Sequence, residues 1–160
     1  MVSVKICRMT NLEDALWAAA CGADAVGFIF YPRAATCITP DQAAEIVRDL
    51  PPFVTPVGVF VDEPVDLVSD FAARVGLRAV QLHGDESPEY CRRFPGLRII
   101  KAFRVGEGFD LKRLADYRAD AVNLAQLMAL AITDDHAAQE AAFYDAPNWQ
   151  RNPTALRDRL

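Results

Sequence analysis

Residues Val4–Ala15 read VKICRMTNLEDA, and this stretch decides the fold that the sequence predicts. Its first part, up to Cys7, has the apolar residues of a short buried strand. Thr10 or Asn11 then stands where a helix N-cap is expected, and two acidic residues follow in the first helical turn, facing the positive end of the helix dipole. A strand, a short loop and a helix in this order form the repeating unit of an α/β fold.

The rest of the chain repeats this alternation. The further candidate strands are short, rich in Val, Ile and Phe, and mostly without polar alternation, which is typical of strands covered on both faces in a parallel sheet. The predicted strands are Ser3–Cys7, Ala25–Phe30, Pro56–Val61, Ala79–Leu82, Arg98–Phe103 and Asp120–Leu124. Their spacing leaves room for a crossover helix between successive strands.

Helical patterns with clear start and stop signals lie between these strands. Thr39 followed by Pro40 is a strong helix start, and Gly22 and Gly76 each stand where a helix should end. The predicted helices are Asn11–Cys21, Pro40–Leu50, Pro64–Val75, one opened by Ser87 and Pro88, and Phe109–Tyr117. No linker divides the units, so we expect a single α/β domain over residues 1–160.

Composition excludes several classes of function. A net charge of −5 gives no reason to expect nucleic acid or an anionic membrane as a partner. No apolar run reaches the ~18 residues of a membrane span, and no signal-peptide pattern is present, so the sequence predicts a cytoplasmic protein. The four cysteines are widely spaced and form no CxxC pair, so neither a metal site nor a disulfide framework is predicted.

Cys7 is the first candidate functional residue because it lies at the carboxyl end of a predicted strand. In an α/β barrel that end forms the catalytic rim. A thiol at the rim acts as a base or nucleophile when its surroundings stabilise the thiolate. The alternative at this point is a cysteine that packs as a small apolar residue.

Several motifs in fixed order resemble one enzyme family. KIC followed by MTNLEDA, then GADAVGFIFYP, PPFVTPVGVFVDEP and VQLHGDESPEYC, resemble phosphoribosylanthranilate isomerase of tryptophan biosynthesis over about residues 1–124. The resemblance implies a (β/α)8 TIM barrel. It also implies an isomerase that carries out the Amadori rearrangement of a small phosphosugar substrate, without a metal or cofactor.

The resemblance also assigns roles to individual residues. The reaction needs one general acid to open the ribose ring and one general base to remove a proton from the sugar C2. Cys7 matches the family's base, while Gln81 and His83 match the QLHG segment that lines its substrate pocket. Taken alone, His83 fits a structural histidine as well as a functional one.

Three positions depart from the family pattern. Arg8 replaces the glycine of the family's KICG motif, where a glycine permits close approach or positive φ. Two opposite effects of the arginine are open: its bulk brings strain, or its guanidinium lowers the pKa of the neighbouring thiol. Thr36 stands where the family has an arginine that binds the anthranilate carboxylate, and Arg33 is the candidate substitute. Ala125 stands where the family has its general acid, an aspartate.

The part after residue 124 diverges most. The sequence has no glycine after Gly108, so no Gly-rich phosphate loop can be assigned, and no segments match the family's seventh and eighth strands. Instead, apolar residues at helical spacing predict a long helix over about residues 123–145, and residues 146–160 are expected to form a loosely held tail. We therefore expect an incomplete barrel of five or six parallel strands plus a C-terminal helix, with an edge open to self-association.

Two classes of function follow from these features. The first is a phosphoribosylanthranilate isomerase homologue whose activity as a single chain is expected to be low, since the base matches but the acid, the carboxylate arginine and the phosphate loop do not. The alternative is a non-catalytic truncated barrel, or a half-enzyme completed by a partner chain.

Overall fold

The computed structural model describes residues 3–105 and 109–126, without the side chains of residues 124–126. Chain contacts divide the protein into two units, Met1–Ala125 and Gln126–Leu160, so the described residues lie almost entirely in the first unit. The single domain over residues 1–160 stays a prediction. The tail at 146–160 and most of the long helix lie outside the described residues.

Six strands form one sheet in which neighbours in space are also neighbours in sequence. The strands are β1 (Lys5–Ile6), β2 (Ala25–Ile29), β3 (Thr55–Phe60), β4 (Ala79–Leu82), β5 (Arg98–Val105) and β6 (Ala121–Gln126). The registers from β1 to β5 are parallel. The sheet is the curled first part of a barrel, which confirms the predicted fold class of an incomplete barrel with five or six parallel strands.

The connecting helices begin and end close to the predicted positions. They are α1 (Leu12–Ala20), α2 (Pro40–Arg48), α3 (Val65–Val75) and the short α4 (Pro88–Cys91), followed by a 3-10 helix at Leu111–Asp116. Within the described ranges, no helix combines the length and the apolar character needed to cross a membrane.

The helix ends have the capping groups that the sequence predicts. Asn11, rather than Thr10, caps α1, because its Oδ1 accepts a hydrogen bond from the Asp14 amide at 2.8 Å. Thr39 and Gln42 form a reciprocal capping box at the start of α2. Gly76 ends α3 with φ of 76°, a left-handed conformation that glycine adopts without a Cβ clash.

The two faces of the sheet have different environments. On the outer face, Phe30 and Phe60 stack with ring centroids 5.2 Å apart, and Phe71 of α3 packs against Phe30 edge-on. The apolar contacts of this face hold the helices on the sheet. The inner face carries the alternate residues of each strand, and its carboxyl rim is therefore the place to look for a site.

Two elements differ from the sequence prediction. The sequence predicts a full helix over residues 109–117, but the structure has a short 3-10 helix there. The Asp110 side chain caps its start by accepting a hydrogen bond from the Lys112 amide, and at its end Tyr117 packs edge-on against Phe103. The predicted strand Asp120–Leu124 instead runs from Ala121 to Gln126. Residues 123–126 therefore belong to β6, and the predicted helix start at Asn123 is wrong, since sheet pairing prevails over the helical pattern.

Candidate active site at the carboxyl rim

Cys7, Gln81 and His83 lie on the inner face of the sheet, near the carboxyl ends of β1 and β4. The parallel register aligns Lys5 with Ala25 and Ile6 with Val26, which places Cys7 beside Gly27. The Met9 amide donates to the Gly27 carbonyl at 2.9 Å and so fixes the chain on both sides of Cys7. Cys7 is half-buried at this rim. The structure thus places the predicted base and two predicted binding residues on one face.

Gly27 makes room for the inner-face side chains of β1. A Cβ at Gly27 would lie 2.6 Å from Cys7 Sγ and 3.2 Å from Lys5 Nζ. A side chain at this position would therefore displace the thiol. The same geometry places the Lys5 ammonium on the same side of the sheet as the thiol. Lys5 could be placed beside Cys7 from the sequence, because residues i and i+2 of a strand lie on the same face.

Gln81 and His83 form a hydrogen-bonded pair along β4. Gln81 Nε2 lies 3.2 Å from His83 Nδ1, and Gln81 is only 3% exposed. Burial lowers the pKa of His83 below its ordinary value, and the cations Arg104, Lys101 and Lys5 lower it further, while Glu86 opposes them. His83 is therefore a neutral imidazole at neutral pH, and it can donate or accept one hydrogen bond through each ring nitrogen.

Arg33 and Thr36 lie on the loop between β2 and α2. Arg33 is exposed. Thr36 is half-buried, and its buried Oγ1 has no hydrogen-bond partner among the described residues. The role of Arg33 as a substitute for the carboxylate-binding arginine thus stays a prediction.

A buried ion pair next to His83 was not predicted from the sequence. Lys101 Nζ lies 2.9 Å from Glu86 Oε2, and both side chains are 2% exposed. Lys101 also donates to the carbonyls of Leu82, Gly84 and Ala102 at 3.2, 2.8 and 2.9 Å. Lysine and glutamate are mostly exposed in proteins, so the sequence gives no reason to expect that Lys101 of β5 and Glu86 of the loop after β4 form a buried pair.

The other oxygen of Glu86 ties a third strand to this pair. Glu86 Oε1 accepts the amides of Asp62, just after β3, and Gly84, just after β4, at 3.1 and 3.0 Å. A Cβ at Gly84 would lie 2.3 Å from Asp62 Oδ1, so a side chain here would displace the Asp62 carboxylate. The pair therefore ties the carboxyl ends of β3 and β4 to the middle of β5, and it fixes the backbone on both sides of His83.

Arg8 has a φ of 73°, which is the conformation that the family's glycine would adopt without strain. A non-glycine residue in this region costs about 1 kcal/mol or more. We expect Arg8→Gly to be more stable than Arg8→Ala by about 1 kcal/mol, because both variants lose the arginine contacts and only alanine keeps the Cβ. Urea unfolding of both variants measures this difference, and equal stabilities would show that the backbone relaxes at this position.

The position of the family's general acid lies at the carboxyl end of β6. Ala125 is the penultimate residue of this strand. Asp120 precedes the first residue of β6 and so lies at the end of this strand away from Ala125. Its carboxylate accepts a hydrogen bond from the Ile99 amide at 2.8 Å and forms an ion pair with Arg98 at 3.3 Å. In the described part of the chain, no three His, Cys, Asp or Glu side chains come together as metal ligands. The inner rim thus presents a thiol and a neutral imidazole.

Comparison with known proteins identifies the family that has these features. The sequence profile described as N-(5'phosphoribosyl)anthranilate (PRA) isomerase matches residues 4–128. The N-(5'-phosphoribosyl)anthranilate isomerase of Thermotoga neapolitana is 52% identical over 119 residues, which are 74% of this chain and 58% of that protein. The Geobacter sulfurreducens protein of the same name is 50% identical over 76% of this chain and 59% of its own length. This chain thus spans about three fifths of these curated relatives.

Solved structures agree with the sequence comparison. The phosphoribosyl anthranilate isomerase of Thermotoga maritima superposes with a TM-score of 0.76 at 45% identity, covering 86% of this chain and 65% of that one. A phosphoribosyl anthranilate isomerase in complex with reduced 1-(o-carboxyphenylamino)-1-deoxyribulose 5-phosphate is 34% identical, with a TM-score of 0.66 over 88% of this chain and 95% of that chain. A further Thermotoga maritima structure, of monomers generated from the dimeric isomerase, has a TM-score of 0.74 at 44% identity over 81% of this chain and 68% of that one.

Proposed function

Because this chain belongs to the phosphoribosylanthranilate isomerase family, we propose that its inner-face site acts on N-(5'-phosphoribosyl)anthranilate in tryptophan biosynthesis. The observation that carries the proposal is the position of Cys7, with Gln81 and His83, on one face of the sheet at the carboxyl rim. In barrels of this kind the rim supplies the catalytic groups.

Cys7 is the general base of this reaction. An acid first protonates the ribose ring oxygen, and the C1–O bond breaks as the anilino nitrogen forms a double bond to C1. Cys7 then removes the proton from the sugar C2 to give an enolamine, which becomes the ketone when C1 takes up a proton and the C2 hydroxyl loses one. Gly27 leaves space on the inner face for the Cys7 thiol that performs this step.

Gln81, His83 and Arg33 are the proposed substrate-binding residues. Gln81 and His83 are held by β4 and by the Lys101–Glu86 pair, which pre-organises them before substrate binds. Arg33 lies three residues before Thr36 on the same loop, and its exposed side chain is available for an anionic group such as a carboxylate.

A half-enzyme completed by a partner chain is the second candidate function. Ala125 offers no acid, and β1 and β6 are the two edges of the described sheet. A partner that supplies further strands would cover these edges and bring the missing acid to the rim. The chain would then contribute the base half of a shared site.

Binding of the reduced product analogue tests the proposed substrate class without depending on turnover. We expect the chain to bind reduced 1-(o-carboxyphenylamino)-1-deoxyribulose 5-phosphate in isothermal titration calorimetry, since a relative carries this ligand. His83→Ala should weaken binding by about 2- to 10-fold, the effect of one lost hydrogen bond. Arg93→Ala, an exposed change just after α4, is the matched control. Absence of binding, or an equal effect of both changes, would contradict the proposed site.

Self-association through the sheet edges is a further part of the proposal. The Thermotoga maritima isomerase is described as dimeric, and Val122 on the edge strand β6 is 43% exposed here. We expect the chain to form dimers in sedimentation velocity and Val122→Lys to shift it toward monomer, because a charge blocks edge pairing. Leu111→Lys, which changes an exposed residue on the 3-10 helix, should leave the dimer intact.

We also place the protein in the cytoplasm. Its cysteines Cys7, Cys21, Cys37 and Cys91 are all free thiols, which suits a reducing compartment.

A further inference from the structure

The side-chain amide of Gln81 is buried, and its oxygen has no hydrogen-bond partner among the described residues. The amide nitrogen of Gln81 faces His83 Nδ1 at 3.2 Å. A buried glutamine with an unused oxygen costs free energy, so the orientation of its amide needs a reason.

The amide orientation decides which imidazole nitrogen carries the proton. An N–H that points at Nδ1 requires Nδ1 to be the acceptor, and a neutral imidazole then carries its proton on Nε2. The orientation in the structure leaves the carbonyl oxygen and one of the two amide N–H groups without partners, whereas the reversed amide would leave both N–H groups without partners. Orphaned buried N–H groups are rarer than under-satisfied carbonyls, so the orientation in the structure is the favourable one.

We propose that Gln81 is a positioning residue that holds His83 as the Nε2–H tautomer, so that the neutral imidazole presents one N–H donor to an oxygen acceptor of the bound sugar phosphate. Within the described residues, the ring of His83 has a hydrogen bond only through Nδ1. Nε2 points away from Gln81 on the opposite side of the ring. This inference rests on the proposed function for the identity of the acceptor, but the tautomer itself does not.

The charges around His83 support a neutral donor. Arg104 of β5, Lys101 of β5 and Lys5 of β1 all disfavour a second proton on the ring, and only Glu86 favours it. Burial acts in the same direction as the three cations. A neutral histidine can either donate or accept at a given nitrogen, and the Gln81 contact removes this ambiguity before substrate arrives.

The tautomer can be measured directly by ¹⁵N NMR of the imidazole in the full 160-residue chain. The sequence has two histidines, so a His136→Gln background leaves His83 as the single imidazole. Couplings to the ring carbon-bound protons identify Nε2 and Nδ1, and the nitrogen shifts show which one is protonated. We expect Nε2–H at neutral pH. A dominant Nδ1–H form, or a mixture of both, would overturn the proposal.

Substitutions of Gln81 separate tautomer control from packing. Gln81→Glu replaces the donor by a carboxylate acceptor, so we expect the tautomer to reverse to Nδ1–H and His83 to titrate at a higher pH than in the parent chain. Gln81→Met keeps the length but not the hydrogen bond, and the fraction of Nδ1–H should rise. If Gln81→Glu does not fold, the tautomer of His83 in Gln81→Met alone tests the proposal. An unchanged Nε2–H population in the folded variant would overturn the proposal.

The proposed isomerase function and the proposed role of Gln81 can be contradicted independently. The NMR measurement uses no substrate, so a chain without isomerase activity can still show the Nε2–H tautomer. Conversely, a chain that binds the product analogue but has Nδ1–H at His83 would keep the proposed function and lose the proposed role of Gln81.

Discussion

Lys101→Met is expected to lower the free energy of unfolding by about 3–5 kcal/mol, the typical effect of removing one partner from a buried ion pair. The change leaves the Glu86 carboxylate 2% exposed and without its cation. It also removes the donor shared by the carbonyls of Leu82, Gly84 and Ala102. Urea unfolding measures the effect, and a loss below about 1 kcal/mol would show that the pair is dispensable for stability.

Two further variants make the Lys101 experiment specific. Lys112→Met removes the same side chain from an exposed position on the 3-10 helix and should change stability by less than about 0.5 kcal/mol. The double variant Glu86→Gln with Lys101→Met should be less destabilised than the sum of the single variants, because the uncompensated charge is gone. It should still be less stable than the parent, because the three carbonyls lose the hydrogen bonds from Lys101.

The sequence predicts the regular elements because their signals are local. Ala79–Leu82 has the predicted bounds, and Thr39, Pro40 and Gly76 mark helix ends as expected from their capping chemistry. The same locality explains the failures. The helical spacing after Asn123 overlaps the last residues of β6, where pairing with a neighbouring strand that is distant in sequence decides the structure.

In the candidate site, too, residues marked by local sequence signals are predictable, and residues that meet through contacts distant in sequence are not. Cys7 can be placed at the rim from the strand and helix signals around it, and Gln81 and His83 follow from the resemblance to a family. Lys101 and Glu86 cannot be found in this way, since their pairing depends on a contact between β5 and the loop after β4. Asp120 is a similar case, because only the structure shows that it pairs with Arg98 at the end of the sheet away from the rim.

The largest expected effect concerns turnover of this chain by itself. Ala125 stands at the position of the family's acid, and loss of a general acid alone costs about 10²–10⁴-fold in rate. Asp120 cannot take over this role, since its carboxylate is bound to the Ile99 amide and to Arg98 at the opposite end of the strand. We therefore expect turnover at least about 10²-fold below that of the full-length Thermotoga neapolitana relative.

Restoring the acid alone should not restore the enzyme. The sequence has Thr36 in place of the carboxylate-binding arginine and no glycine after Gly108 for a phosphate loop, so Ala125→Asp would act on a poorly oriented substrate. Orientation is worth up to about 7–11 kcal/mol in the best cases, which exceeds what one acid contributes. The assay follows the loss of phosphoribosylanthranilate fluorescence with Cys7→Ala as the blank, and growth of a tryptophan auxotroph lacking the isomerase provides the same test in cells. Robust turnover that disappears in the Cys7→Ala protein would overturn this expectation and leave Arg33 as the first residue to examine for a compensating role.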